Sequence, residues 1–213
     1  MSTNVEEDRD LLESIFGGEN NNVEGLLAAI KESPTDVGHT DNLWRTLLAK
    51  YFPDTKYHVR RRKTRLANGD TTVSLNLFVL EHGVTSLKLT IHLRSPNASE
   101  DPIIEHCTKV AQRGWMKGYT ACIKALGVEF ECFRCIRPEN DGDECGRENS
   151  KILTDQVEED ADVQLDGVVL SLTDEEDQKT FDKIMLSLRE QTVQNGGGHA
   201  SEVPTYDIDD PFE

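Results

Sequence analysis

Apolar residues recur along this 213-residue chain with two different periods, and the switches between them mark its elements. Leu11, Leu12, Ile15 and Phe16, then Val23, Leu26, Leu27 and Ile30, follow helical spacing in two short pieces. Gly17-Gly18 and the following Asn residues separate them, and Ser33-Pro34 closes the second. A stronger helix is predicted after Asp41, with Leu43, Trp44, Leu47, Leu48, Tyr51 and Phe52 on one stripe and Pro53 as its stop. From Tyr57 the period falls to two. The runs Tyr57 to Leu66 and Thr71 to Leu80 flank Asn68-Gly69, the residue pair suited to a hairpin turn with two positive φ angles. A third run spans Val84 to Arg94. Alternation assigns Val73, Leu75, Leu77, Val79, Leu87, Leu89, Ile91 and Leu93 to a buried face. It assigns Ser74, Asn76, Phe78, Lys88, Thr90, His92 and Arg94 to a polar, basic one.

Helical spacing then returns. Asp101 and Pro102 form a start signal, and Gly127 is a suitable left-handed stop, predicting one helix of about 25 residues. Ile103, Cys107, Val110, Ala111, Gly114, Trp115, Cys122, Ile123 and Leu126 form its apolar side, and Lys109, Arg113, Lys117 and Lys124 a basic stripe opposite. Val128 to Ile136 predicts a fourth strand. Farther on, Thr173 and Glu176 have capping-box spacing before a helix bearing Phe181, Ile184, Met185 and Leu188. The expected fold is therefore α+β: an antiparallel sheet of three to four strands packed on a long helix, in the order α-β-β-β-α-β. Four regions are expected: an acidic amino-terminal region with short helices (1–40), a basic core domain (41–138), an acidic segment with one amphipathic helix (139–193) and a flexible acidic tail (194–213). Their low apolar content predicts flanks that are partly disordered.

Charge changes the picture of what such a fold is for. The net charge is −17, yet 16 of the 23 Lys and Arg residues fall in 41–138, so a basic middle lies between acidic flanks. Five of those cations, Arg60, Arg61, Arg62, Lys63 and Arg65, stand on the strand leading into the Asn68-Gly69 turn. Alternation cannot place them all on one face, and a projecting finger of this kind grips phosphates. Phe78 beside Lys88 and Arg94 adds a ring on which a base can stack. With Lys109, Arg113, Lys117 and Lys124, these residues make up the expected nucleic-acid surface; a charged edge strand protected from aggregation and a nuclear-import peptide are the competing readings for the finger. No apolar run is long enough for a membrane span, and the acidic start lacks signal-peptide character. A cytoplasmic or nuclear, non-secreted protein is expected.

Other chemistry is sparsely represented. There is no phosphate-binding glycine loop, nucleophile elbow or His-Glu-x-x-His motif, which predicts a non-enzymatic protein without cofactor. Cys132, Cys135 and Cys145 have the beginning of zinc-ligand spacing, but a fourth ligand would have to come from His106 or Cys107, and ordinary reduced thiols are the expectation for the five cysteines.

The segment Val110 to Val128, rich in Ala and basic residues, with Tyr119 and ending on Leu126-Gly127, resembles the corresponding helix of Erf/RecT-type single-strand annealing proteins. That resemblance implies single-stranded DNA in a basic groove, homo-oligomeric rings or filaments, and a role in recombination or replication. The α-β-β-β-α order also resembles the double-stranded-RNA-binding domain, including viral RNA-silencing suppressors of that kind. Its basic helix start is replaced here by Asp101 and Glu105. The terminal Tyr206, Asp207, Ile208, Asp209, Asp210, Pro211 and Phe212 are similar to the acidic tail of bacterial single-stranded-DNA-binding proteins, which implies a protein partner and competition with DNA. Asp210-Pro211-Phe212 also resembles a clathrin-adaptor peptide. A scaffold acting through its acidic flanks is the alternative of another class.

Overall fold

The structure is a computed structural model that describes residues 15–17, 22–65, 71–81, 83–94, 102–116, 118–140, 142–149 and 168–194. Helix α1 covers Asn22–Glu32 and α2 Val37–Tyr51; strands β1 (Tyr57–Arg65), β2 (Thr71–Glu81) and β3 (Val84–Leu93) follow. Helix α3 (Pro102–Gln112) leads to β4 (Tyr119–Leu126) and β5 (Glu129–Ile136). Short strands β6 (Gly146–Asn149) and β7 (Leu170–Ser171) precede α4 (Glu175–Gln194). The Asn68-Gly69 turn, Leu11, Leu12, Asp101, Lys117 and the peptide Tyr206 to Phe212 lie outside the described residues.

The fold is α+β, but its sheet is larger than expected and mixed. Seven strands take the order β1-β2-β3-β4-β5-β6, with β7 also on β5. β1 and β2 pair antiparallel from Tyr57 opposite Val79 to Arg65 opposite Thr71, the predicted hairpin arms. β3 and β4 are parallel, with α3 as the crossover between them, and the other pairs are antiparallel.

The sheet is covered on both faces. On one, Val73, Leu75, Leu77, Leu89, Ile91, Leu93, Ile123 and Phe130 join apolar residues of α1, α2 and α4 in a single core. Trp44 of α2, Phe130 of β5 and Phe181 of α4 meet edge to face, with centroids 5.3–5.7 Å apart, and Tyr51 joins through Phe181. The amphipathic helix of the acidic segment is thus part of the same core as the strands, and so is Ile15. Its cap lies one residue later than predicted: Asp174 Oδ1 accepts from the Glu176 and Asp177 amides. The α2 start lies five residues before Asn42, because Asp36 is the cap and accepts from Gly38 N at 2.7 Å.

On the other face α3 packs across β2–β5, and here the predicted alternation needs correction. A register shift between Leu77 and Phe78 leaves Lys88 as an extra residue and sets Leu87 opposite Phe78, so Leu87, expected on the face of Leu89, lies with Phe78 beneath α3 and Trp115. Asn76, Thr90 and His92, expected to be open, are buried as well.

The long helix is the largest correction. It ends at Gln112, where Gly114 at φ +74° donates to Ala111 O and Trp115 N donates to Val110 O. These are the two bonds of a Schellman stop, closed by packing of Trp115 near Val110. The second half of the segment is β4, and Gly127 at φ +62° turns the β4–β5 hairpin instead of ending a helix.

Candidate nucleic-acid interface

β1 is the outer strand of the sheet, and its side chains alternate between two settings. Arg61, on the α2 side, donates from Nε to Asp41 Oδ2 at 2.7 Å. Its partner carboxylate is buried while the guanidinium is partly exposed. This cation therefore ties β1 to α2. His58 and Lys63 are exposed near the two ends of the strand.

Arg60 and Arg62 point to the α3 side. The Arg60 guanidinium lies 5.5 Å from the centroid of Phe78 and 5.7 Å from that of Trp115, and Arg113 approaches Trp115 at 5.8 Å. Phe78 meets Trp115 edge to face at 5.4 Å, and Trp115 O accepts from Leu87 N at 2.6 Å, so the half-buried indole is held against the sheet. Arg62 lies in the field of Glu105 and His106 on α3. Glu105 is held below the usual carboxylate range first by its hydrogen bond to Lys109, at 2.6 Å, with Arg62 acting in the same direction. Burial, followed by the positive field of Arg62, lowers His106 to about 4, leaving a neutral ring that hydrogen-bonds Asn76 Oδ1 at 3.1 Å. Asn76 also accepts from Thr90 at 2.9 Å. This polar set is an internal brace beneath the arginines.

Of the twelve residues predicted from sequence, the fold brings Arg60 and Arg113 to Trp115, and Arg62 and Lys109 to Glu105 and His106 on the same side. It does not gather the others. Phe78 is buried under the indole instead of offering its own face. Lys88 on β3 and Arg94 just after it sit half-buried, two strands in from the edge. Lys124, expected on the helix stripe, is a strand residue whose Nζ lies 3.1 Å from Glu131, a carboxylate shared with Arg147 at 2.6 Å. Lys63 shares the α2 side with Arg61, Arg65 belongs to β1 by its backbone, and Lys117 is outside the described residues. Trp115 is the residue sequence reasoning assigned to the wrong role; a Gly followed by a bulky apolar residue, Gly114-Trp115, was the available sign of a helix stop.

Among the described residues the carboxylates do not converge into a metal-binding group; the side chains that do are Cys107, Cys122 and Cys135. No helix of the described residues is long and apolar enough to cross a membrane. No family model, curated protein or solved structure matches the chain.

Proposed function

We propose that this chain is a nucleic-acid-binding protein that holds a single strand along the β1 edge, with Arg60, Arg62 and Arg113 on phosphates and Trp115 as the stacking platform. The observation that carries this reading is the flanking of one half-buried indole by Arg60 and Arg113, with Arg62 on the same side of β1. Guanidinium groups hold phosphates in fork geometry, and an indole stacks any base presented out of a duplex. Paired bases leave no free face for that ring, which favours single strands over double helices. The acidic remainder of the chain opposes non-specific attraction and competes for the cations.

Fluorescence and titration of the intact protein test this reading. Oligothymidylate is expected to quench Trp115, whereas Trp44 is fully buried in the core. Affinity should fall steeply with salt. Replacing Arg60 and Arg62 together by Ala should weaken binding at least about tenfold and make the salt slope shallower by about 0.7 for each phosphate that is no longer neutralised. Arg61→Ala, which breaks the tie to Asp41, should change stability more than affinity. Unchanged binding by the double variant, or preference for duplex DNA or duplex RNA over the single strand, would sink the proposal.

A further inference from the structure

Four of the five cysteines come together from four separate segments beneath α3. Cys122 on β4 and Cys135 on β5 share the α3-facing side of the sheet as diagonal neighbours, since Cys122 pairs with Phe133 and Thr120 with Cys135. Cys107 descends from α3 onto the same spot. The three Sγ atoms all lie within 4.8 Å of one another, with Cys107 and Cys122 3.5 Å apart. Cys145 enters from the segment before β6, buried in the same cluster, and its amide donates to Thr108 Oγ1 at 3.0 Å, one residue from Cys107. Its Sγ is not within 4.8 Å of all three others, so it is the outermost of the four and has to close in on a bound ion.

We infer that Cys107, Cys122, Cys135 and Cys145 form a structural zinc site. A tetrahedral zinc–thiolate centre with bonds of about 2.3 Å places its sulfurs about 3.8 Å apart, close to the spacing already present among Cys107, Cys122 and Cys135. The walls are Ile103, Ala111, Met116 and Phe133, with no carboxylate or imidazole among the converging donors, which suits a closed, soft-ligand site. Binding releases one proton from each thiol and leaves a centre of net charge −2. The guanidinium of Arg137 partly offsets that charge: it lies in the field of Cys145 and is anchored by a bond to Met116 O at 3.2 Å. Without a metal, the apolar walls enclose the thiols as small, closely packed groups. Sequence spacing singled out Cys132, but that residue faces the opposite core and serves as an internal control.

The full chain, purified under reducing conditions with zinc in the medium, should carry about one equivalent of tightly held zinc by elemental analysis. The metal-free chain titrated with cobalt(II) should give thiolate-to-cobalt charge transfer and the intense visible bands of a tetrahedral site. Cys122→Ser and Cys135→Ser should abolish both signals, and Cys132→Ser should preserve them. Absence of stoichiometric zinc together with a featureless cobalt titration of the unaltered chain overturns the site without reliance on variants that fail to fold. A cobalt spectrum unaffected by Cys145→Ser overturns the four-sulfur assignment.

Discussion

Tyr51 and Asp182 illustrate how single side chains hold the layers together. The phenol donates to Asp182 Oδ1 at 2.7 Å inside the core, joining α2 to α4 across 131 positions of sequence. Tyr51→Phe removes that donor and leaves a buried carboxylate less well satisfied, an expected loss of about 1–3 kcal/mol measurable as a lower urea midpoint. Burial first, and the Asp182 charge second, raise the Tyr51 pKa well above its ordinary value of 10. The neutral phenol therefore contributes its full stability below about pH 10, and the contribution declines as pH rises above that, because the unfolded chain ionises first. The alkaline fall in stability should be shallower in Tyr51→Phe, and parallel alkaline profiles for the two proteins would count against this account. At this scale, residue type was legible and partnership was not. The cations of β1 were visible in sequence, but only packing assigns Arg61 to Asp41 and Arg60 to Phe78 and Trp115.

Among elements, the segment from 102 to 126 is the most instructive. Its apolar positions fit a helical period throughout, yet helix gives way to strand within it. β4 is buried on both faces, with Ala121, Ile123 and Ala125 on one side and Thr120 and Cys122 on the other, so it lacks the polar alternation that marks a half-exposed strand. Positive φ was also ambiguous, since a glycine that can end a helix can equally turn a hairpin. Gly114 decides the outcome. No atom lies within 4 Å of a Cβ built there, so the cost of Gly114→Ala is conformational. A left-handed alanine costs roughly 1–2 kcal/mol. Urea denaturation should register that loss, and because the same stop sets Trp115, the variant should also bind oligothymidylate more weakly. Elsewhere pattern sufficed: the β1–β2 arms pair as read, and the Phe181, Ile184, Met185 and Leu188 stripe is buried as read.

At the scale of the whole molecule, the charge division and the core follow different boundaries. Basic residues concentrate in 41–138, while the core draws on Val23 and Ile30 before that span and Leu172, Phe181 and Met185 after it. A fragment of residues 41–138 loses Phe181, which touches Trp44, Tyr51 and Phe130, and it should lack a cooperative unfolding transition. Residues 195–213 hold five Asp and Glu and no Lys or Arg, so the chain shortened to 1–194 should bind single-stranded DNA more tightly at low salt. Calorimetry and binding titrations on the two shortened chains check both expectations.

The sequence alone determined local matters: the apolar stripes, the hairpin arms flanking Asn68-Gly69, the α+β class and the basic middle of an acidic chain. Each is written in the period or charge of neighbouring residues. Tertiary structure decided the parallel β3–β4 pair, the strand order, the Arg60–Trp115–Arg113 surface and the meeting of Cys107, Cys122, Cys135 and Cys145. Those depend on which distant segments pack together, and local periodicity records that a face is buried without recording what buries it.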